Sequence, residues 1–196
     1  MNRNNKKDSK DAKKSLFFDT IIDIRRVVKV VKGGRIFSFS VLAIIGNKKG
    51  SFGIGKGKAL DVTQAKKKAI AMAKNRLVKI NLRSGRTIHH SSEGVSGATK
   101  VVLRPAMPGT GIVAGGAVRA LLESIGIQDI VTKVIGSSNS YTALRATAEA
   151  LSSTNSLRTI ATLRGKTVKE VVSSMKNQKF SEGEDLSDEK EENISA

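Results

Sequence analysis

Residues 28–39, VKVVKGGRIFSF, constrain this chain more than any other stretch. Two apolar, β-prone runs meet at Gly33 and Gly34, with Lys32 and Arg35 on either side. Glycine takes positive φ without steric cost, so a Gly-Gly pair between such runs predicts a hairpin turn. The tip then presents bare backbone amides between two positive charges, a surface suited to a phosphate backbone.

Around and beyond the hairpin, the pattern predicts a βββα module. Residues 17–31 read as extended, with room for a short helical start, and residues 35–45 as the second strand. A turn over 46–50 leads to a third strand at 51–58, whose Gly53, Gly55 and Gly57 alternate with Lys56 and Lys58. Asp61 reads as the cap of a helix over 62–80, because Val62, Ala65, Ala69, Met72, Ala73, Leu77 and Ile80 recur at helical spacing. The polar stretch 83–94 reads as a seam. Beyond it the pattern predicts a strand at 98–103 broken by Pro105 and Pro108, and a glycine-rich loop over 109–116. A helix at 117–125 closed by Gly126 and a strand at 130–135 come next. A helix at 140–151 with Asn139 or Ser140 as cap, one at 157–163, and a short one from Thr167 to Met175 complete it. The fold class is α+β in two domains, 16–82 and 95–176, joined by a linker at 83–94. A disordered basic arm (1–15) and a disordered acidic tail (177–196) flank them.

Charge narrows the partner. The 196 residues carry a formal net charge of +18. From Ser181 onward seven acids face one cation, so the first 180 residues carry +24. A globular part that positive repels itself unless a polyanion neutralises it, which makes nucleic acid the leading partner class. Aromatics are only 4% of the chain, so backbone contact is favoured over extensive base stacking. Cysteine is absent, which excludes disulfides and thiolate metal sites and suits a reducing compartment. Residues 1–15 have no apolar core of a secretory signal, and no apolar run is long enough to span a bilayer.

Several motifs have two readings. Gly53, Gly55 and Gly57 lack the GK[ST] ending of a P-loop; they mark either a strand passed closely by other backbone or a cationic surface open to phosphates. Lys66, Lys67 and Lys68 resemble any solvated helix face, yet cations in the opening turns oppose the helix dipole. A polyanion explains them, as in double-stranded-RNA-binding domains. Gly109, Gly111 and Ala114 fit GxGxxA, with Asp129 twenty residues on where a ribose-binding acid is expected. Pro105 and Pro108 cut off the strand that such a fingerprint requires, so a packing loop is preferred over a nucleotide site. His89 and His90, adjacent on an extended chain, point to opposite faces and cannot share a metal ion well. Neither a nucleophilic triad nor a carboxylate pair is indicated. The reading is a protein with no catalytic residues, no cofactor and no metal.

The segments VKGGRIFSFSVLAIIGN, GSFGIGKGKALDV, LRPAMPGTGIVAGGAVRALLESIGI and GSSN together resemble the bacterial ribosomal small-subunit protein five family, uS5, over roughly residues 18–175. The resemblance implies a double-stranded-RNA-binding-like domain followed by an α+β domain of the ribosomal protein five type. It implies a structural role in the 30S subunit, with 16S rRNA, small-subunit proteins four and eight, and mRNA on its way into the ribosome as partners. It also implies an influence on decoding accuracy, a cytoplasmic, ribosome-bound location (an organelle ribosome included), and no membrane or small-molecule partner. On this reading Lys29, Lys32, Gly33, Gly34, Arg35, Phe37, Lys56, Lys58, Lys66 and Lys67 contact RNA. The tip from Lys32 to Arg35 matches the family's loop near the spectinomycin site, and Thr110, Gly111 and Arg119 match a region facing protein four. Ser140 stands where the family commonly has proline, and serine is a competent helix-start residue.

Overall fold

The structure, a computed structural model, describes residues 17–173. The basic arm, the acidic tail and the last residues of the expected final helix lie outside this range. The chain divides into two compact units after Thr154.

The first unit holds both sheets. In the first, β1 (Phe18–Val31), β2 (Gly34–Gly46), β3 (Ser51–Ala59) and β4 (Leu77–Lys79) lie in sequence order, all antiparallel. Helix α1 (Val62–Asn75) sits between β3 and β4 in the chain. It ends five residues before the predicted Ile80, because Leu77, Val78 and Lys79 pair with Gly53, Phe52 and Ser51 instead. The apolar stripe is helical as far as Ala73; beyond it a fourth strand takes over. Asp61 does occupy the N-cap position, in extended conformation, but its side chain makes no capping hydrogen bond.

From Val41 onward strand β2 is buried on both faces, and the two-residue alternation of a strand decides what covers each. Val41 and Ala43 point to α1 and cluster with Ala65 and Ala69. Leu42 and Ile44 point the other way, into the main core, where Phe52, Ile80 and Ile88 meet Leu103, Leu121, Leu144 and Leu151. That core is continuous from the first sheet to the second. The junction is tight: Lys48 N donates to Ser124 O and Gly50 N to Ile125 O, both at 3.0 Å. Gly46 lies so close to the Ser124 carbonyl that no side chain fits.

The second sheet has strand order β5-β6-β8-β7: β5 (Ser92–Ser96), β6 (Thr99–Pro105), β8 (Ile130–Gly136) and β7 (Ile112–Val113). Helices α2 (Gly116–Ile125) and α3 (Ser140–Ser152) belong to it. Gly126 closes α2 at φ +96°, and Asn139 caps α3 by accepting from Tyr141 N at 3.3 Å. The stretch 83–94 carries a β-bridge between Arg83 and Thr87, the fully buried Ile88 and the start of β5. The second unit, as far as it is described, contains α4 (Leu157–Arg164), capped by Ser156, and a helical turn over 168–173. Thr167 and Glu170 cap that turn reciprocally, Thr167 N donating to Glu170 Oε2 and Glu170 N to Thr167 Oγ1.

Candidate nucleic-acid interface

The hairpin outruns its support. Strand β3 pairs with β2 only as far as Phe39, whereas β1 and β2 continue for five more pairs to Val31–Gly34. This is a two-stranded ribbon roughly 17 Å long. Its apolar side chains are bare: Val30 is 74% exposed, Ile36 49% and Phe37 41%. A two-stranded ribbon is marginal in water by itself, so a surface of this kind is built to be covered.

The turn itself is centred on Lys32 and Gly33 rather than on the two glycines, and Gly34 opens β2 with φ +138°. Space is not the constraint at the tip, since a Cβ at Gly33 or Gly34 would meet nothing within 4 Å. Backbone conformation is the constraint at Gly34 alone. Gly34→Ala is therefore expected to loosen the hairpin by about 1 kcal/mol, while Gly33→Ala costs a few tenths at most. Amide hydrogen exchange at Val31 and Arg35 checks this: the two variants should differ by several-fold.

Strand register sorts the predicted residues onto two sides of the sheet. On one side, Lys58, Ser40 and Arg25 lie in one cross-strand row and Lys56, Leu42 and Asp23 in the next, with Lys29 further out beside Ile36. Arg25, Lys29, Lys56 and Lys58 are all exposed, and Asp23 bonds Arg25 at 2.6 Å. Lys56 Nζ stands 5.4 Å from the Tyr141 ring centroid, and Asn139 and Tyr141 wall a cleft of about 220 Å³ against this face. On the other side, Arg35 and Phe37 share a face with Arg26, whose guanidinium lies 3.8 Å from the Phe37 centroid. Helix α1 covers that same side nearer the core, and Lys66 and Lys67 are on it.

The structure thus does not gather the ten predicted RNA-contact residues onto one surface. It also decides what the alternating glycines do. Gly53, Gly55 and Gly57 face α1, where a Cβ on each would overlap the carbonyl oxygens of Ala73, Ala69 and Ala65 in turn. They serve helix-on-strand packing and are closed to phosphate; Lys56 and Lys58 point away from them. Arg25 was missed, although its alternation with Val27 and Lys29 is a strand signal pointing all three to one face. Tyr141 and Asn139 had no local signal, because tertiary packing alone brings α3 to this cleft.

Thr110, Gly111 and Arg119 lie in the second sheet's loop and the first turn of α2, with Thr110 and Arg119 exposed. The loop around them is held from inside. Gly109 N and Gly111 N donate to Asp129 Oδ1 at 2.9 and 3.1 Å, and Arg86 pairs with Oδ2 at 3.0 Å. Asp129 therefore occupies the amides that a pyrophosphate would need, and its charge would repel one. Strand β7 also runs through the middle of the GxGxxA stretch, so the glycines precede the strand instead of following it.

These bonds, with Gly111 N foremost, hold the Asp129 carboxyl below its ordinary value against the effect of burial. A lowered carboxyl stabilises the fold fully above its unfolded value of about 3.9 and loses that contribution as pH falls through the lowered folded value. Protection of the Gly109 and Gly111 amides, taken relative to their intrinsic exchange rate at each pH, should fall in that acid window. In Asp129→Ala their exchange should be roughly tenfold faster at neutral pH, with no acid step remaining. Burial, then Arg83, then His90, push His89 toward its neutral form.

No helix of the described residues is long and apolar enough to cross a membrane. Two family models match the chain in order: ribosomal protein S5, N-terminal domain, over residues 17–81, and ribosomal protein S5, C-terminal domain, over residues 94–164. Among curated relatives, the small ribosomal subunit protein uS5 of Cereibacter sphaeroides is 46% identical over 172 residues, 87% of this chain and 92% of its own length. That of Hyphomonas neptunium is 49% identical over 163 residues, 83% and 82%. That of Methylorubrum extorquens is 48% identical over 160 residues, 82% and 83%. A cationic sheet with an unsupported ribbon, joined through one core to a sheet whose glycine loop is filled by its own aspartate, fits these matches, and the chain belongs to the ribosomal protein S5 family.

Proposed function

We propose that this protein is a non-enzymatic, structural constituent of the small ribosomal subunit that binds 16S rRNA through its first sheet and hairpin. The observation that carries the reading is the face bearing Arg25, Lys29, Lys56 and Lys58, four exposed cations against the single acid Asp23. Phosphate contacts of this kind position a protein on folded RNA without reading its sequence. The projecting ribbon, with Lys32 at its tip and Gly34 shaping the return, inserts between RNA segments that cover its apolar side chains. Arg35, Phe37, Lys66 and Lys67 meet RNA on the opposite side of the sheet. Thr110, Gly111 and Arg119 face small-subunit protein four, and protein eight is a second neighbour. From that place the protein supports assembly, decoding accuracy and the path by which mRNA enters.

Sedimentation tests this. The full chain should remain with small subunits through a wash at high salt, because covered apolar surface outlasts screened charge. Release at moderate salt, with equal binding to unrelated RNA, would make it a general RNA chaperone instead.

A further inference from the structure

We propose a second RNA site, for a single unstacked nucleotide, in a cleft of about 400 Å³ where the 83–87 turn faces the 105–108 segment. It rests on the RNA-binding reading above but uses none of the residues named there. Two guanidinium groups, Arg83 and Arg86, stand on one wall, and Pro105, Met107 and Pro108 form the other. Arg86 is pre-positioned by Asp129, whose carboxylate also lines the cleft: the Arg86 Nε and one terminal nitrogen engage Oδ2 at 3.2 and 3.0 Å. With Gly109 N and Gly111 N on Oδ1, that negative charge is offset, leaving Arg83 as the uncompensated cation for a phosphate. Three of the five Arg86 N–H groups remain for another acceptor, and its side chain is half exposed. Arg83 is exposed and has no acidic partner among the ion pairs of the described residues.

The opposite wall is apolar and open, with Met107 80% exposed. A thioether against an aromatic ring is a favourable contact, and a nucleobase offers such a ring. Thr87 also lines the cleft, and its Oγ1, beneath the surface, is buried without a hydrogen-bond partner among the described residues. A buried hydroxyl left unpaired is costly, and a change of χ1 rotamer that turns it into the cleft would let a ligand oxygen satisfy it. Cations on one side and an apolar wall on the other match a phosphate and a base, with the Thr87 hydroxyl in reserve beneath them for the sugar. A duplex offers no free base to such a cleft, whereas single-stranded loops do.

The test is a titration of the ¹⁵N-labelled full chain with a single-stranded RNA tetranucleotide, with inorganic phosphate, and with a short RNA duplex. The tetranucleotide should shift the amides of Arg86, Thr87, Ala106 and Met107 saturably. Arg83→Gln should weaken this about tenfold, and Thr87→Val should weaken it too. Arg83→Gln leaves the turn intact, since its backbone N still donates to Thr87 O at 2.8 Å. Met107→Ala removes an exposed side chain and should weaken the tetranucleotide but not phosphate. Equal response to phosphate, unaffected by Met107→Ala, would overturn the base half of the site. No saturable shift here while the duplex binds the first sheet would overturn the site and leave the RNA reading standing. Binding of neither RNA would overturn both.

Discussion

Gly55→Val should cost about 4 kcal/mol or more, a large share of the stability of a domain this size. Valine favours strands by intrinsic propensity, so the effect arises wholly from what lies above the strand. A Cβ at Gly55 would overlap the carbonyl oxygen of Ala69 and come within 2.6 Å of the Ala73 amide nitrogen. Both are backbone atoms of a helix and cannot rotate away. Relief requires α1 to lift off, which would open the cluster of Val41, Ala43, Ala65 and Ala69. Gly33→Val is the control, with nothing within 4 Å of its Cβ. Thermal unfolding followed by circular dichroism should show a drop of roughly 10–15 °C for the first variant and little change for the second. A small shift at Gly55 would mean that α1 does not sit on β3 as described.

That packing also marks how far the sequence could be read. The helical stripe of Ala65, Ala69 and Ala73 and the alternate glycines of β3 were both visible, but as separate patterns. Local periodicity says which face of an element is buried and not what buries it. Hence the glycines kept two readings until α1 was seen to lie on them. The end of α1 was missed because Leu77 and Ile80 continue the helical spacing, while the pairing of Leu77 with Gly53 is a long-range event. Likewise, Ile112 and Val113 are too short a run to announce a strand, and only their parallel pairing with Ile130 and Val131 makes them one. The closing Gly126, the hairpin turn to within one residue and Asn139 as one of two adjacent caps were legible because their chemistry is local. The family segments carried the order of the two modules, though not their fusion into one core.

The division of cations between two sides of the sheet has the largest functional consequence. Changing Arg25, Lys29, Lys56 and Lys58 together to glutamine should lower rRNA affinity by up to about 10³-fold at 0.15 M salt. The slope of log affinity against log salt should fall in magnitude by roughly three to four, about 0.9 for each phosphate no longer neutralised. Folding should not suffer. These side chains are exposed, and a globular part carrying so much positive charge gains by losing some of it, so the melting temperature should hold or rise. Lys66→Gln with Lys67→Gln changes half as many charges on the opposite side, and one duplex cannot lie against both. The pair should therefore change the slope by less than two. If the pair produced the large loss and the fourfold variant did not, RNA would lie along α1, as in a double-stranded-RNA-binding domain. The cleft beside Tyr141 would then be a protein contact.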